Sequence, residues 1–395
     1  GFLPGQPEKI IHGRLACPGI ELSSGFFFAM IFSGARRRKE KPLMKEFIPS
    51  LKRFALIGAA GYIAPRHLKA IKDTGNVLVA AMDKSDSVGV LDSYFPWASF
   101  FTEFERFDRF LEKLRRADPA GGIDCLSIAT PNYLHDAHIR FALRLGASAI
   151  CEKPVVLNLW NLDALKAIEA EYGRKVYTVL QMRLHPALRA LKSRVETGPA
   201  GRVYDVELTN VTARGRWYFY SWKGDEAKSG GVATNIGIHF FDVLTWIFGE
   251  AAAGGNIVHL KEPDRAAGFL ELRRARVRWY LSLRAEDVPA AGRTRSPRAF
   301  RRIAVDGEPA DFTEGCADLH TRVYEEILAG RGFGLGGRGG SSSSGPALRF
   351  FRRKIRHRRR PAEGGGSASS IFRGMSVRRT ESGSPGSLSS EENMG

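Results

Sequence analysis

One unit near residue 52 constrains the fold more than any other feature of the sequence. The stretch KRFALIG is a short apolar run, GAAG is a glycine turn, and APRHLKAIKDTG has helical spacing; the next apolar run, NVLVAAM over 76–82, ends at Asp83. Apolar runs that alternate with helical patterns in this way predict βαβ units and a parallel sheet.

The same alternation continues to about residue 180 and then stops. Strands over 123–129 and 175–180 and helices over 133–145 and 161–172 extend the parallel sheet. Strand-like runs then follow one another directly, which predicts a mostly antiparallel sheet; they lie at 203–212, 256–260, 267–272, 277–283 and 300–305, with one helix over 235–248. The predicted fold class is therefore α/β plus α+β, with an N-terminal Rossmann domain (doubly wound parallel sheet) and a C-terminal domain built on a large, mostly antiparallel sheet.

Composition divides the chain into four parts. Residues 1–44 show no useful periodicity and are predicted to be a disordered extension; 45–155 form the Rossmann domain and 156–330 the second, substrate-binding and oligomerisation domain. Residues 331–395, with GGRGGSSSSG and an arginine-rich run, are predicted to be disordered because they cannot bury enough apolar surface. The formal charge of +18 lies mostly in the two ends, so the domains themselves carry only a mild excess that fits an enzyme for phosphate-bearing ligands.

Cysteine spacing and hydropathy indicate the cellular compartment of the protein and whether it is attached to a membrane. The four cysteines are widely separated and form no CxxC pair, which predicts a reducing compartment and no structural metal. No apolar run is long enough to cross a bilayer, and the cationic cluster at 36–41 follows the apolar run that precedes it, whereas a signal peptide would place charge first. We therefore predict a cytoplasmic protein without membrane attachment.

Two groups of residues lie where strands of a parallel sheet end. The glycine turn at 58–61 would present backbone N–H groups to a pyrophosphate, and Asp83, 22 positions after Gly61, would bind ribose hydroxyls and repel a 2′-phosphate. TPNYLH and CEKP end two further strands, so Lys153 would reach the same edge of the sheet. Simpler interpretations stay open: a plain tight turn, a solvated Asp83, a surface lysine, and a capping or packing role for His135.

A third group follows a glycine pair in GGVATNIGIHFFD. Asn235 and His239 are four residues apart, which would put them on one face of a helix, and Asp242 could orient the imidazole. The competing interpretation is a buried structural histidine.

These three blocks, in this order and spacing, resemble the Gfo/Idh/MocA family of sugar oxidoreductases over residues 50–330. The stretches that are similar to bacterial UDP-N-acetylglucosaminuronate 3-dehydrogenases are KRFALIGAAGYIAPRHLKAIKDTGN, ICEKP, WYFYSWKGDEAKSGGVATNIGIHFFD and DLHTRVYEEILAGRGFG. The resemblance implies NAD-dependent oxidation of the C3 hydroxyl of a UDP-N-acetylated glucuronic acid to a 3-keto sugar during lipopolysaccharide (O-antigen) biosynthesis in bacteria.

The resemblance also implies a role for each matching position. Lys153 and His239 would be the acid–base pair, and Asn235 stands where many relatives carry Asp. The implied cofactor contacts are Gly58, Ala60, Gly61, Tyr62, Ile63, Asp83, Thr130, Pro131, Asn132, His135, Glu152, Lys153 and Gln181. The substrate candidates are Lys153, Arg183, Arg214, Arg216, Trp217, Lys223, Thr234, Asn235 and His239, and surface charge is the alternative for the arginines.

The implied partners are a nucleotide-sugar substrate, 2-oxoglutarate as hydride acceptor, and further copies of the chain in a dimer or tetramer; no specific nucleic acid and no metal are expected. After GRGFG the sequence departs from the family, whose members continue with closing helices. Two other functions stay open. One is a dehydrogenase for another sugar or an inositol, and the other is an NAD-sensing module whose tail, Arg352 to Arg360, binds polyanions.

Overall fold

The computed structural model describes residues 51–117, 121–290, 298–310, 312 and 318–335, except for the side chains of 253 and 254. Of the basic tail predicted over 331–395, residues 336–395 lie outside these ranges, as do the extension predicted over 1–44, Cys17 and Cys316. Cys125 and Cys151 are both buried free thiols. Among the described helices, none alone is long and apolar enough to span a membrane, and only the bent pair Glu226–Asn235 and Ile238–Phe248 meets the length and composition when taken together.

A six-stranded parallel sheet forms the first layer. Its strands are β1 (Arg53–Ile57), β2 (Val77–Met82), β3 (Ser99–Phe101), β4 (Cys125–Ile128), β5 (Ser148–Cys151) and β6 (Val176–Thr178), in the order β3-β2-β1-β4-β5-β6. The connecting helices are α1 (Ala64–Asp73), α2 (Val90–Tyr94), α3 (Phe104–Ala117), α4 (His135–Arg144) and α5 (Leu159–Tyr172). The strand order reverses between β1 and β4, which creates a switch point where ligands of such sheets bind.

Burial explains why these segments form the sheet. Phe54 to Ile57 are all at most 1% exposed, as expected for a strand covered on both faces. Helix α1 turns its buried side, with Leu68 and Ile71, onto the sheet, and a proline stands at its first turn. Strand β6 belongs to the same sheet, so the sheet extends beyond the boundary predicted at residue 155.

The second sheet confirms the predicted fold class and adds one feature to it. Its strands are β7 (Tyr204–Thr212), β8 (Ala251–Lys261), β9 (Arg265–Leu272), β10 (Ala275–Ser282), β11 (Ala299–Val305) and β12 (Glu308–Ala310), in the order β12-β11-β7-β10-β9-β8. Four neighbouring pairs are antiparallel, but β7 and β10 run parallel. A row of Ile303, Leu208, Trp279 and Gly268 crosses the sheet, and Gly268 leaves room for the Trp279 ring.

The predicted helix over 235–248 is wrong in one respect, because the chain breaks there into two helices. Helix α9 (Gly231–Asn235) ends before Gly237, and α10 (Ile238–Phe248) begins after it at an angle of 46° to the preceding segment. A Cβ at Gly237 would lie 2.4 Å from the Ala233 carbonyl oxygen and 2.7 Å from Leu281, so the tight break requires glycine. Asn235 and His239 therefore do not share one face of a single helix. Before the break lie α6 (Pro186–Thr197) and two short helices, α7 (Trp217–Tyr220) and α8 (Glu226–Ser229).

The last described segment returns to the first sheet. Helix α11 (Leu319–Leu328) packs on α1, and its Val323, Tyr324 and Ile327 join the core cluster that contains Phe54 and Leu68. Beyond it, the Phe333 carbonyl accepts a hydrogen bond from Thr178 N, and Gly334 forms a β-bridge with Tyr177. Ordered chain thus continues through Leu335, past the boundary predicted at residue 330.

Candidate active site

The glycine turn lies at the switch point. Gly58 N donates to the Met82 carbonyl at 2.8 Å, and the backbone of Gly58 has a φ of +94°. A Cβ on Gly58 would lie 2.7 Å from the carbonyl carbon of Ala129 and 2.8 Å from Thr130 N, so the turn packs backbone to backbone against the end of β4. This contact brings the glycine turn and the TPN turn together as predicted.

We expect Gly58→Ala to lower stability by about 2–3 kcal/mol, because it adds strain at positive φ to an overlap with backbone atoms, and to abolish dinucleotide binding. Gly75→Ala is the matched control: Gly75 also has a positive φ of +71°, but a Cβ there meets nothing within 4 Å. It should cost about 1–2 kcal/mol and leave binding intact. Urea unfolding and fluorescence titration with NADH measure both effects, and equal losses of binding in the two variants would contradict this account.

Asp83 is fixed beside the glycine turn. Its Oδ2 accepts from Ala60 N and its Oδ1 from Ser85 N, each at 3.0 Å. The carboxylate thus ends β2 at the same edge of the sheet, where the sequence predicts a ribose contact. Tyr62 is 92% exposed in the same turn, whereas Ile63 packs against the core.

His135 corrects a prediction. The sequence assigned it to the cofactor, but it is fully buried, with Nδ1 2.7 Å from the Pro154 carbonyl and Nε2 2.8 Å from the Thr130 carbonyl. Both ring nitrogens are therefore occupied by the backbone. His135 joins the TPN turn to the CEKP turn and has no nitrogen left for a ligand. The Thr130 hydroxyl lies 3.0 Å from Nδ1 of His138.

Asn132 and Asn235 join the TPN turn to α9. Asn132 Nδ2 donates to the Ser229 carbonyl at 2.9 Å and to Asn235 Oδ1 at 3.3 Å, and Asn235 Nδ2 donates to the Tyr218 hydroxyl at 3.0 Å. Thr234, the neighbour of Asn235, is buried under Gly230. These contacts hold the end of α9 against the TPN turn.

Lys153 and His239, the predicted acid–base pair, are linked by the electrostatic influence of Lys153 on His239. Lys153 Nζ donates to the Asn235 carbonyl at 3.0 Å. Burial lowers the pKa of Lys153; the Glu152 carboxylate raises it, and the cations Lys223 and Arg214 lower it again. Burial also holds the pKa of His239 well below its ordinary value, and the charge of Lys153 lowers it further. An amine and a neutral imidazole that both reach one substrate oxygen could exchange a proton with it.

Arg183 and Asp242 correct two more predictions. Arg183 was expected to contact substrate and Asp242 to orient His239, but the two form a bidentate ion pair at 2.8 and 2.6 Å. Both are at most 2% exposed, and the guanidinium also lies over the Phe333 ring at 5.3 Å. The pair fastens α10 to the turn after β6 and contacts no open surface.

Gln181 and Glu152, both predicted to contact the cofactor, differ in their surroundings. The buried Oε1 of Gln181 has no hydrogen-bond partner among the described residues. A ligand amide would satisfy this oxygen, so the position fits the nicotinamide end of a dinucleotide. The Glu152 carboxylate instead accepts from His67 and His320, at 3.2 and 3.1 Å. The ligand atoms of these three residues lie within 4.8 Å of one another, so the expectation of no metal stays untested.

Cations and aromatic rings line the substrate side. Lys223 lies over the rings of Trp222 and Trp217 at 4.5 and 5.6 Å, and burial followed by the charge of Arg214 lowers its pKa. A cavity of about 490 Å³ opens beside them, and its lining includes Arg214, Trp217 and Arg298. Arg216 points elsewhere and donates to the Tyr220 hydroxyl at 3.2 Å.

Sequence reasoning missed His67, His320, Tyr218 and Tyr324. A signal existed for two of them. His67 occupies an inward position in the stripe Ala64, Leu68, Ile71 of α1, and His320 stands beside the stripe Leu319, Val323, Ile327 of α11. A histidine within an apolar stripe indicates a buried polar partner, but the sequence does not say which one.

Comparison with known proteins identifies relatives of both sheets. The model of an oxidoreductase family with an NAD-binding Rossmann fold matches residues 52–180, and that of the family's C-terminal alpha/beta domain matches 192–288. The structure is similar to the WlbA (WbpB) dehydrogenase from Thermus thermophilus, solved in complex with NAD and alpha-ketoglutarate and with NAD and UDP-GlcNAcA. The identity is 52%, the match covers 78% of this chain and 97% of that chain, and the TM-score is 0.72.

Two curated relatives are more distant. A putative oxidoreductase, YteT, from Bacillus subtilis is 30% identical over 40% of this chain, and inositol 2-dehydrogenase from Rhizobium meliloti is 26% identical over 55%. The chain spans only 36% and 61% of the lengths of these two relatives.

Proposed function

Since the chain belongs to the Gfo/Idh/MocA family of NAD-dependent oxidoreductases, we propose that it oxidises the C3 hydroxyl of a UDP-N-acetylated glucuronic acid to the 3-keto sugar. The proposal is supported by the 52% identity to the Thermus dehydrogenase that was solved with UDP-GlcNAcA, by the hydrogen bond from Lys153 to the Asn235 carbonyl, and by the influence of the Lys153 charge on the pKa of His239. A lipopolysaccharide role, a cytoplasmic location and assembly into a homo-oligomer belong to the same proposal.

The residues at the switch point fit NAD. Backbone N–H groups of the turn at Gly58 and Gly61 would hold its pyrophosphate, Asp83 a ribose, and Gln181 its amide. When bound, NAD supplies the hydride acceptor for the oxidation. The protein then has to bind the sugar, exclude water and move one proton.

His239 takes the hydroxyl proton in this mechanism. Because burial keeps its pKa well below the ordinary value, the imidazole is neutral at pH 7 and can act as a base. Lys153 donates a hydrogen bond to the same oxygen and stabilises the negative charge that develops there. The Asn235 carbonyl holds the Lys153 amine in place.

Charge supports an acidic substrate. The charges of Lys223 and Arg214 lower the pKa of Lys153, and the charge of Arg214 lowers the pKa of Lys223. A carboxylate or diphosphate between such cations would relieve this repulsion. The cavity beside Arg214 and Trp217 can accept a nucleobase or phosphate, and the Thermus relative binds UDP-GlcNAcA.

The test uses the full chain with NAD, UDP-GlcNAcA and 2-oxoglutarate, followed by mass spectrometry of the products. We expect the 3-keto sugar and 2-hydroxyglutarate in equal amounts. myo-Inositol replaces the nucleotide sugar in a parallel reaction. Turnover of the inositol without turnover of UDP-GlcNAcA, in a sample that binds NADH, would move the assignment to an inositol dehydrogenase.

Asp83→Asn should weaken the preference for NAD over NADP. The amide keeps an oxygen for Ala60 N but loses the charge that repels a 2′-phosphate and binds ribose hydroxyls. Hydrogen bonds to charged groups are worth about 1.5–3 kcal/mol, so the ratio of the two kcat/KM values should fall about 10–100-fold. Asp86→Asn is the control, since Asp86 is exposed in the following loop and should leave the ratio unchanged.

A further inference from the structure

Glu152 lies at the centre of a buried group of polar side chains from three distant parts of the chain. We call His67, Glu152, His320 and Tyr324 the Glu152 cluster. Nε2 of His67 and Nε2 of His320 lie 3.2 and 3.1 Å from the same oxygen, Oε1 of Glu152. All four residues are less than 9% exposed. Helix α1 supplies His67, the turn after β5 supplies Glu152, and α11 supplies His320 and Tyr324.

The positions of the protons in the cluster follow from its hydrogen bonds. The Tyr324 hydroxyl lies 2.7 Å from Nδ1 of His67 and 2.7 Å from the Ser127 hydroxyl. If Ser127 donates to Tyr324 and Tyr324 donates to Nδ1, His67 carries its proton on Nε2 and donates it to Glu152. The opposite tautomer would turn a lone pair of the imidazole toward the carboxylate, which is repulsive.

This arrangement keeps Glu152 charged although it is buried. Burial alone would raise the pKa of Glu152, but the hydrogen bonds from His320 and His67 outweigh burial and hold the pKa well below its usual range. Burial also lowers the pKa of His67, so this ring donates as a neutral group. The Glu152 carboxylate stands directly before Lys153 in the chain.

The charge of Glu152 acts on the reacting groups. Of the described ionisable groups that influence Lys153, Glu152 is the carboxylate that favours the charged amine, whereas Lys223 and Arg214 oppose it. Glu152 acts in the same sense on His239 and on the buried His135. His320 acts on His239 in the opposite sense.

We propose that His67 and His320 are positioning residues that hold the ionised Glu152 carboxylate as the counter-charge of Lys153, and that α11 thereby sets the charge of the reacting amine from the far end of the described chain. This inference rests on the proposed function for its role in catalysis. It does not depend on which sugar is oxidised.

The experiment measures the titration of Lys153 directly, in the NAD-loaded full chain. Reductive methylation with ¹³C-formaldehyde labels the lysines, and Lys153→Arg identifies the Lys153 resonance. In Glu152→Gln the pKa of Lys153 should fall by about 1–3 pH units, the effect of losing one close opposite charge. His320→Leu should shift it in the same direction by a smaller amount.

His320→Gln is the matched control. Its amide places an N–H donor near the position of Nε2, so it should return the Lys153 titration close to that of the unsubstituted chain, which loss of packing alone would not do. In turnover, the basic limb of the kcat/KM profile should move to lower pH in Glu152→Gln, because the amine loses its proton earlier. If His320→Leu does not fold, Glu152→Gln and His320→Gln still decide the question.

Two results would overturn the proposal. One is an unchanged Lys153 titration in folded Glu152→Gln. The other is one equivalent of zinc in the purified chain that disappears in His320→Gln, because the cluster would then be a metal site. If UDP-GlcNAcA is not oxidised but the titration shifts as expected, the substrate assignment fails and this inference stands.

Discussion

Lys153→Met is expected to lower kcat/KM for the sugar by about 10²–10⁴-fold, the usual contribution of a positioned acid or base. Methionine keeps much of the length and apolar stem of the side chain but removes the N–H group that donates to the Asn235 carbonyl and, in the proposed mechanism, to the reacting oxygen. Steady-state kinetics at saturating NAD gives kcat/KM for the variant and for the unsubstituted enzyme. Affinity for NADH, measured by fluorescence, should change little, because the glycine turn and Asp83 are untouched.

Lys166→Met on α5 is the control for this substitution, since Lys166 forms an ion pair with the exposed Asp163 at 3.5 Å. Its kcat/KM should stay within about twofold of the unsubstituted enzyme. His239→Gln should resemble Lys153→Met, and the double variant should be scarcely slower than the slower single variant, because the two groups act on one oxygen. A Lys153→Met enzyme that keeps more than a tenth of its activity would remove Lys153 from the mechanism.

Asp242→Ala should destabilise the chain by about 3–5 kcal/mol, since it leaves the guanidinium of Arg183 buried without its carboxylate. The two groups are joined by two hydrogen bonds and are nearly inaccessible to water. Removing one partner leaves the other charge buried without a counter-charge, whereas removing both partners leaves no buried charge. Arg183→Met combined with Asp242→Leu should therefore recover most of the loss, which urea unfolding would show.

The exposed pair of Lys166 and Asp163 supplies the comparison again. Asp163→Ala should cost no more than about 1 kcal/mol, because solvent screens that pair. Similar losses for Asp163→Ala and Asp242→Ala would mean that the buried pair contributes little. A double variant less stable than Asp242→Ala alone would point instead to packing between Arg183 and Phe333.

Local pattern was enough to predict five of the six strands of the first sheet, but not the three-residue strand β3. Strands such as β1 and β4 are continuous apolar runs that end at glycine or at Thr-Pro, so their positions can be found without tertiary information. The catalytic candidates Lys153 and His239 also followed from motifs at strand ends and helix starts. The parallel pairing of β7 with β10 could not be predicted from such motifs. The choice of partner between strands far apart in sequence depends on the whole sheet.

The errors share a physical cause. Arg183, Asp242 and His135 are polar residues inside motifs, and sequence alone does not distinguish a side chain that meets a ligand from one that meets another buried group. Arg183 forms an ion pair with Asp242, and the two ring nitrogens of His135 lie within hydrogen-bonding distance of backbone carbonyls. The break at Gly237 was missed because helical spacing continues across it; only the closeness of Ala233 and Leu281 explains it.

The return of α11 and Gly334 to the first sheet bears on how the chain is made. Val323, Tyr324 and Ile327 of α11 complete the core cluster around α1, and Gly334 forms a β-bridge with Tyr177 at the edge of the sheet. During synthesis on a ribosome, the cofactor-binding half therefore emerges long before α11 and Gly334, which pack against it. A fragment that stops near residue 180 should expose this surface and need a chaperone. The nascent chain can form these last contacts only when residue 335 has left the exit tunnel.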